Sequence, residues 1–278
     1  MASTQTTANP VLRLNDGASI PVLGLGVYQT RAGEATVAAC LEALRVGYRH
    51  IDTAQAYGNE RDVGAAIQRS GLPRGEVFVT TKIANGNHGT AATRTSLERS
   101  LKQFGYDYFD LVLVHFPVPG KLRETWRALV QAQRAGLARS IGVSNYTVRH
   151  LSALLAESDV VPAVNQVELS PFCSQAALRT FCAQHAIVVE AYSPLTQGLK
   201  LRERRLVEIA HRLRRTPAQI LLRWGVQQGL VVVPKSVTPA RIAENAALFD
   251  FELGPAEMDV LNALDENFRT CWDPTDVQ

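Results

Sequence analysis

The chain has 278 residues, of which 46% are hydrophobic and 20% are charged, and its formal net charge at pH 7 is +3. This composition excludes an intrinsically disordered chain, because the hydrophobic content is sufficient to bury a core. The net charge is too small to indicate a nucleic-acid-binding protein or a membrane-surface protein, and neither kind of partner is expected.

The four cysteines are Cys40, Cys173, Cys182 and Cys271, and no two of them have CxxC spacing. A chain of this size does not need disulfides to be stable, so reduced thiols are expected. The first ten residues, MASTQTTANP, are polar and lack the apolar segment of a secretory signal. Apolar runs elsewhere fall short of the ~20 residues that span a bilayer. These features predict a cytoplasmic location.

The first predicted element is a hairpin, because Asp16 and Gly17 lie between two short apolar runs. The segment GLGVYQ (residues 24–29) then suggests a glycine-rich phosphate loop. It lacks a third glycine and no helix follows it directly, so a tight turn is predicted instead.

From Glu34 onwards, helical and strand patterns alternate without a break in composition. Helices are predicted at residues 34–46, 60–70, 91–104, 122–135, 147–157, 175–185, 206–213, 217–228, 239–247 and 255–264. Strands are predicted at residues 48–52, 77–82, 110–115, 139–144, 163–168, 187–192 and 230–234, with a weak eighth strand at 248–251.

This alternation allows either an open doubly wound sheet or a closed barrel. Eight strands, and no GxGxxG after the first of them, favour the barrel. The length is also near the roughly 250 residues typical of this fold. The predicted fold is therefore a (β/α)8 TIM barrel preceded by an N-terminal β-hairpin, with residues 1–278 forming a single domain.

Chemically active side chains occur at the ends of three consecutive predicted strands. Asp52, Lys82 and His115 end these strands, and Tyr57 follows Asp52 by five residues. The carboxyl ends of barrel strands converge on one face, where active sites lie. Together these groups predict one proton-donating site.

A tyrosine alone is a poor acid at neutral pH, since its pKa is near ~10. A nearby Lys82 is expected to lower the pKa of Tyr57, with Asp52 holding the lysine in place, while His115 orients a substrate oxygen. Taken singly, each residue also has a structural interpretation. Asp52 and Lys82 could form a structural ion pair, His115 could be a hydrogen-bonded structural residue, and Tyr57 could be a packing aromatic.

Seven segments together resemble the aldo-keto reductases, and the similarity extends over nearly the whole chain. They are GYRHIDTAQAYGNE, VFVTTKI, LVLVHFP, RSIGVSNY, AVNQVELSP, EAYSPL and VVVPKSVTPARIAEN. The resemblance implies a barrel that binds NADPH/NADP+ without a Rossmann domain. It also implies that Tyr57 is the general acid/base, that Lys82 and Asp52 tune it, and that His115 orients the substrate. The most similar group is the prokaryotic members related to 2,5-diketo-gluconate reductase.

The resemblance also implies a set of cofactor-binding residues. Ser144, Asn145 and Gln166 match those that bind the nicotinamide carboxamide, and Tyr192 matches the aromatic that stacks on the ring. The remaining matches are Ser193, Leu195 and Gln197 for the pyrophosphate, Lys235, Ser236 and Arg241 for the 2′-phosphate, and Glu244 and Asn245 for the adenine. Lys235 and Arg241 suit this role chemically, because a dianionic phosphate requires a cation and a forked donor.

Two departures from the family pattern affect the predicted substrate pocket. Ala84 and Phe116 occupy positions where many members have tryptophan, and the neighbouring loops are short. A pocket lined by Tyr28, Ala84, Phe116 and Trp272, open or enlarged, is expected.

The predicted activity is the NADPH-dependent reduction of small to medium aldehydes and ketones, including α-dicarbonyls or keto sugar acids. A monomer without a metal is expected. Two alternatives stay open: a non-catalytic barrel that senses bound nucleotide, and a lyase that forms a Schiff base on Lys82.

Overall fold

The computed structural model describes residues 9–277. Its first element is an antiparallel hairpin of β1 (Val11–Arg13) and β2 (Ser19–Pro21), in which Val11 pairs with Pro21. The turn includes Asp16, whose carboxylate accepts a hydrogen bond from the backbone N–H of Ala18 at 3.0 Å. The predicted N-terminal hairpin is therefore confirmed.

Eight parallel strands follow and form one sheet in chain order. They are β3 (Leu25–Gly26), β4 (His50–Asp52), β5 (Phe78–Ile83), β6 (Phe109–Val114), β7 (Ala138–Ser144), β8 (Val164–Glu168), β9 (Val188–Tyr192) and β10 (Val231–Val233). The sheet closes where Leu23 pairs with Val232 and Gly26 pairs with Lys235, both in parallel. The predicted (β/α)8 barrel is confirmed.

Two predictions about the strands are wrong. Residues 248–251 do not form a strand, because the segments around β3 and β10 pair with each other and leave no open edge for it in the barrel. The eighth strand of the barrel is instead β3, which lies inside the segment predicted as a tight turn. Its glycines serve close packing: a Cβ atom on Gly26 would lie 3.1 Å from the carbonyl oxygen of Val233, so a side chain there would crowd the closing strand.

The ten predicted helices are all present, with ends within two residues of the predicted bounds. They are α1 (Glu34–Arg45), α2 (Glu60–Ser70), α3 (Thr90–Phe104), α4 (Leu122–Arg134), α5 (Val148–Leu155), α6 (Ala176–Gln184), α7 (Arg204–Leu213), α8 (Pro217–Gln227), α9 (Pro239–Ala246) and α10 (Pro255–Asn262). Within residues 9–277, none of them has both the length and the apolar character required of a membrane span.

The hairpin closes the amino-terminal end of the barrel. Leu14 and Ile20 are buried in one cluster with Phe78, Leu111 and Val231, which lie at or near the starts of their strands. The opposite end, where the strands terminate, is therefore the end at which polar side chains can meet a ligand.

Candidate active site

The four residues predicted to act together lie together at the carboxyl ends of the barrel strands. Asp52 is the last residue of β4, Lys82 is near the end of β5, and His115 directly follows β6. Tyr57 ends a short 3-10 helix, Gln55–Tyr57, in the loop after β4. Its hydroxyl oxygen is 3.5 Å from Nζ of Lys82, and its ring meets the ring of His115 edge-on at 5.7 Å between centroids.

Lys82 forms an ion pair with Asp52 in the barrel interior. Its Nζ atom donates to both carboxylate oxygens of Asp52 at 2.7 Å and to the carbonyl oxygen of Thr53 at 3.0 Å. Gln166 donates to Asp52 from β8 at 2.8 Å. Burial favours the neutral amine, but the charge and hydrogen bonds of Asp52, together with Tyr57 and Glu190 nearby, outweigh it, so the pKa of Lys82 is raised above its ordinary value.

The pKa of Tyr57 differs from the sequence-based expectation. Burial raises it to about 12, although the neighbouring Lys82 by itself lowers it. The lysine has the expected effect, but Asp52 offsets much of its field and burial disfavours the phenolate. Tyr57 is therefore protonated at neutral pH, as a proton donor must be.

His115 is uncharged at neutral pH. Burial, and then the positive charge of Lys82, lower its pKa to about 3. A neutral imidazole can still donate one N–H hydrogen bond to a substrate oxygen, without the cost of burying a second cation beside Lys82. Phe116 stacks on the imidazole at 4.8 Å between ring centroids.

The loop that carries Tyr57 is attached to the barrel on both sides of the tyrosine. Before it, the side-chain oxygen of Gln55 accepts from the backbone N–H of Ala84 at 2.9 Å and from Asn87 at 2.8 Å. After it, Asn59 is buried and donates to the carbonyl oxygen of Val27 at 3.1 Å. These bonds hold the phenol near the ends of β4 and β5.

Four further predicted residues form a hydrogen-bonded arc beside the tetrad. Ser144 donates to the carbonyl oxygen of Gln166 at 2.8 Å, and Asn145 donates to the carbonyl oxygen of His115 at 2.9 Å. The hydroxyl of Tyr192 donates to the amide oxygen of Asn145 at 2.7 Å. The structure thus brings Ser144, Asn145, Gln166 and Tyr192 together with the catalytic candidates.

The loop after β9 holds Ser193, Leu195 and Gln197. Ser193 and Gln197 have left-handed backbone conformations, with φ of 47° and 51°, which are uncommon for residues other than glycine. Leu195 is half-buried against the core, whereas Gln197 is exposed and lies within 3.4 Å of the carbonyl oxygen of Thr270. The loop therefore borders the C-terminal segment.

The five residues expected around the adenosine end follow β10. Lys235 and Arg241 are exposed, and among residues 9–277 neither has an acidic partner within 4.0 Å. Ser236 is buried and accepts from the backbone N–H of Thr238 at 3.1 Å, just before α9. Glu244, within α9, accepts from the hydroxyl of Thr216 at 2.8 Å, and Asn245 is buried.

Aromatic rings surround the tetrad at the predicted substrate positions. Tyr28 packs on Tyr57 at 5.0 Å between ring centroids, and Trp272 meets Phe116 edge-on at 5.3 Å. Ala84 follows the end of β5 and is half-buried. Its small side chain leaves one side of this aromatic rim without a bulky group.

Sequence reasoning missed two buried acids on the barrel strands. Glu190 is fully buried, and one of its carboxylate oxygens lies 3.7 Å from Nε2 of His50. Among the described residues, neither carboxylate oxygen of Glu190 has a hydrogen-bond partner. Burial raises its pKa to about 8. Glu168, at the end of β8, is also buried and binds the C-terminal segment. A signal for Glu190 was its place two residues before Tyr192, on the same face of an otherwise apolar strand.

The sequence model of the Aldo/keto reductase family matches residues 22–266. The chain belongs to the aldo-keto reductase family. It is accordingly an enzyme of the oxidoreductase class, and the resemblance drawn from its motifs is confirmed.

Relatives cover the chain almost completely. It is 44% identical over 272 residues to methylglyoxal reductase DkgA of Escherichia coli (strain K12), covering 96% of this chain and 98% of that one. It is 41% identical over 272 residues to glyoxal reductase of Bacillus subtilis (strain 168), covering 98% and 99%. An aldo-keto reductase of Bombyx mori, crystallised in complex with NADP, superposes with a TM-score of 0.88 at 37% identity, covering 95% of each chain.

Proposed function

We propose that this enzyme reduces aldehydes and ketones to alcohols with NADPH, and that Tyr57 protonates the carbonyl oxygen. The observation that carries the proposal is the position of the Tyr57 hydroxyl, 3.5 Å from a buried lysine that is itself held by both oxygens of Asp52. A phenol so placed can give up its proton to an adjacent oxygen while a fixed cation stabilises the phenolate left behind.

The residues present fit NADP(H). Lys235 and Arg241 offer two exposed cations without acidic partners in the described chain, which suits the extra phosphate of this cofactor. Ser236, Glu244 and Asn245 would contact the adenosine end, and Ser193, Leu195 and Gln197 the pyrophosphate. Ser144, Asn145 and Gln166 would bind the carboxamide beside Tyr192. The NADP complex of the Bombyx mori relative supports this assignment. When bound, the cofactor supplies the hydride.

His115 and Tyr57 would share the substrate oxygen. The neutral imidazole donates a hydrogen bond that orients the carbonyl, and the phenol donates the proton as negative charge develops on that oxygen. The protonation states agree with this division, because the pKa of His115 is lowered to about 3 and that of Tyr57 is raised to about 12. Both groups are therefore neutral donors at physiological pH.

The proposed substrates are small to medium carbonyl compounds, with α-dicarbonyls preferred over keto sugar acids. The printed names of the Escherichia coli and Bacillus subtilis relatives support α-dicarbonyls. The aromatic rim of Tyr28, Phe116 and Trp272, with the small Ala84 beside it, would accept an apolar substituent on the carbonyl.

The Schiff-base alternative is disfavoured by the state of Lys82. A lysine must be neutral to attack a carbonyl, and Asp52 keeps this one charged. No observation favours a purely nucleotide-sensing barrel. A cytoplasmic location is proposed because Cys40, Cys173, Cys182 and Cys271 are free thiols in the structure.

The replacement Tyr57→Phe tests the proposal, since it removes one hydroxyl and little volume. Turnover of methylglyoxal with NADPH should fall by about 10²–10⁴-fold, the usual contribution of a general acid. The dissociation constant for NADPH, measured by fluorescence quenching, should stay near that of the parent. A variant with turnover within a few-fold of the parent would exclude Tyr57 as the donor.

A further inference from the structure

The segment after α10 contacts the rest of the protein at several places along its length. Near its start, the backbone N–H of Phe268 donates to the carbonyl oxygen of Phe172 at 2.8 Å. Near its end, the carbonyl oxygen of Val277 lies 2.8 Å from Nε2 of His150. Between these points, Glu168 is the only buried charged residue among residues 9–277 that binds the segment. We call residues 265–277 the tail.

Glu168 binds two consecutive residues of the tail. One carboxylate oxygen accepts from the backbone N–H of Thr270 at 2.6 Å and from its hydroxyl at 2.5 Å. The other oxygen accepts from the backbone N–H of Cys271 at 3.1 Å. Hydrogen bonds to an ionised acceptor are short and strong, and Glu168 is only 3% exposed, so little solvent competes for them.

This attachment immediately precedes Trp272. The indole meets Phe116 edge-on at 5.3 Å, and Phe116 in turn stacks on His115 at 4.8 Å. A chain of contacts therefore runs from the Glu168 carboxylate, through the tail, to a ring beside the proposed oxygen-binding histidine. The loop after β9 also contacts this part of the tail, but through the exposed amide of Gln197, whose nitrogen is 3.4 Å from the carbonyl oxygen of Thr270; this is a longer hydrogen bond between uncharged groups.

We propose that Glu168 is a specificity-determining positioning residue, whose carboxylate seats the tail so that Trp272 forms one wall of the carbonyl pocket. The proposal rests on the proposed function, because a substrate pocket is assumed there. The class of substrate that depends on this wall is the aromatic α-dicarbonyls, since an aryl group can pack on Trp272 and Phe116. A small aliphatic dicarbonyl is too short to use it.

The variant Glu168→Gln tests the attachment with almost no change in volume. Glutamine retains one acceptor oxygen, and its NH₂ group would face a backbone N–H, so at least one tail amide loses its partner. The probes are methylglyoxal and phenylglyoxal, each measured with saturating NADPH. KM for phenylglyoxal should rise roughly 10-fold or more, the scale of a lost apolar contact in a pocket. KM for methylglyoxal should change much less.

A double-mutant cycle with Trp272→Ala separates this mechanism from a general loss of stability. If Glu168 acts through Trp272, replacing the acid in the Trp272→Ala background should have little further effect on phenylglyoxal. Full additivity of the two changes would overturn the proposal. So would an equal loss with both substrates, or a weaker NADPH dissociation constant, because either result would place the effect on the fold or the cofactor.

A second readout does not depend on turnover. The chain has three tryptophans, and Trp126 and Trp224 are 1% exposed, whereas Trp272 is 51% exposed. Acrylamide quenching of tryptophan fluorescence therefore reports mainly on Trp272. The quenching constant should rise in Glu168→Gln if the tail is released. If the quenching constant rises in Glu168→Gln but the parent protein itself reduces no carbonyl compound, the proposed function is wrong and the attachment of the tail by Glu168 stands. An unchanged constant would overturn the attachment itself.

Two further variants complete the design. Glu266→Gln removes an acid from the same tail, where it forms a half-exposed pair with Lys200, and should leave both readouts as in the parent. Thr270→Val keeps both backbone bonds to Glu168 and removes only the hydroxyl bond. If Glu168→Gln does not fold, Thr270→Val should show a smaller shift in the same direction, and no shift would contradict the proposal.

Discussion

Lys82 donates to both carboxylate oxygens of Asp52 at 2.7 Å each, inside the barrel and almost completely out of contact with solvent. The two charges meet across neighbouring strands, since β4 pairs with β5 in parallel. Burying either charge alone would be costly, so the pair is a unit: Asp52 allows a lysine to remain charged beneath Tyr57, and the lysine allows the carboxylate to remain ionised.

Breaking this pair from one side should be more damaging than removing both charges. We expect Lys82→Met to destabilise the fold by about 3–5 kcal/mol, because it leaves a buried carboxylate unpaired. The double variant Lys82→Met with Asp52→Asn should be more stable than the single one, although both should lack carbonyl turnover. Urea unfolding gives the free energies. Glu157→Gln, which breaks an exposed pair with Arg123, is the control and should change stability little. Equal destabilisation in the single and double variants would contradict the argument.

Arg241 should distinguish NADPH from NADH. It is exposed and lacks an acidic partner in the described chain, so it is free to bind a 2′-phosphate together with Lys235. A charge-assisted hydrogen bond contributes about 1.5–3 kcal/mol, so Arg241→Ala should weaken NADPH binding roughly 10–150-fold. Binding of NADH should change little. Fluorescence titration of both cofactors measures this, with Arg94→Ala, on the exposed face of α3, as the control. Equal weakening of both cofactors would remove Arg241 from the phosphate site.

Ala84 should set the size limit of the pocket on the side of β5. It directly follows that strand, and its backbone N–H is held by Gln55 in the loop that carries Tyr57. Ala84→Trp should therefore lower kcat/KM for phenylglyoxal selectively and leave methylglyoxal nearly as good a substrate. The ratio of kcat/KM for the two substrates is the measurement. If both fall together, or neither does, Ala84 does not line the pocket.

Glu190 should make the stability of the fold depend on pH between pH 6.5 and 8. Burial, and then the charge of Asp52, raise its pKa from 4.5 to about 8. Between pH 6.5 and 8 the folded state holds a proton that the unfolded state has lost, so stability falls as pH rises through this window. With at most one proton involved, the loss is about 2 kcal/mol at most. Glu190→Gln should abolish it, as measured by urea unfolding at pH 6.5 and 8.

His50, the neighbour of Glu190, has the opposite effect on stability as pH changes. Burial lowers the pKa of His50 to about 4, so the unfolded state takes up a proton first as pH falls below 6.5, and stability decreases. Glu190 and His50 therefore oppose each other between pH 4.5 and 6.5, which is why the comparison is made above that range. Parallel pH dependence in the parent and in Glu190→Gln would show that Glu190 is ionised in the folded protein.

Local sequence patterns were enough to predict the ten helices, seven of the eight barrel strands and the residues that meet at the strand ends. Helix α2 (Glu60–Ser70) has the predicted bounds, because an amphipathic pattern ends at Gly71, which takes the left-handed conformation that stops a helix. Asp52, Lys82 and His115 could be placed on one face because parallel strands of a barrel end at one rim. These are consequences of local periodicity and of a fold rule.

Tertiary structure alone decided the features that depend on contacts between distant segments. The strand β3 is only two residues long and exists because Gly26 lies against Lys235 and closes the barrel, which no local pattern reveals. The pKa of Tyr57 depends on its burial and on the balance between Lys82 and Asp52. Glu168 binds Thr270 across more than a hundred residues. Burial, electrostatic balance and long-range hydrogen bonds arise only once the chain is folded, so sequence periodicity cannot supply them.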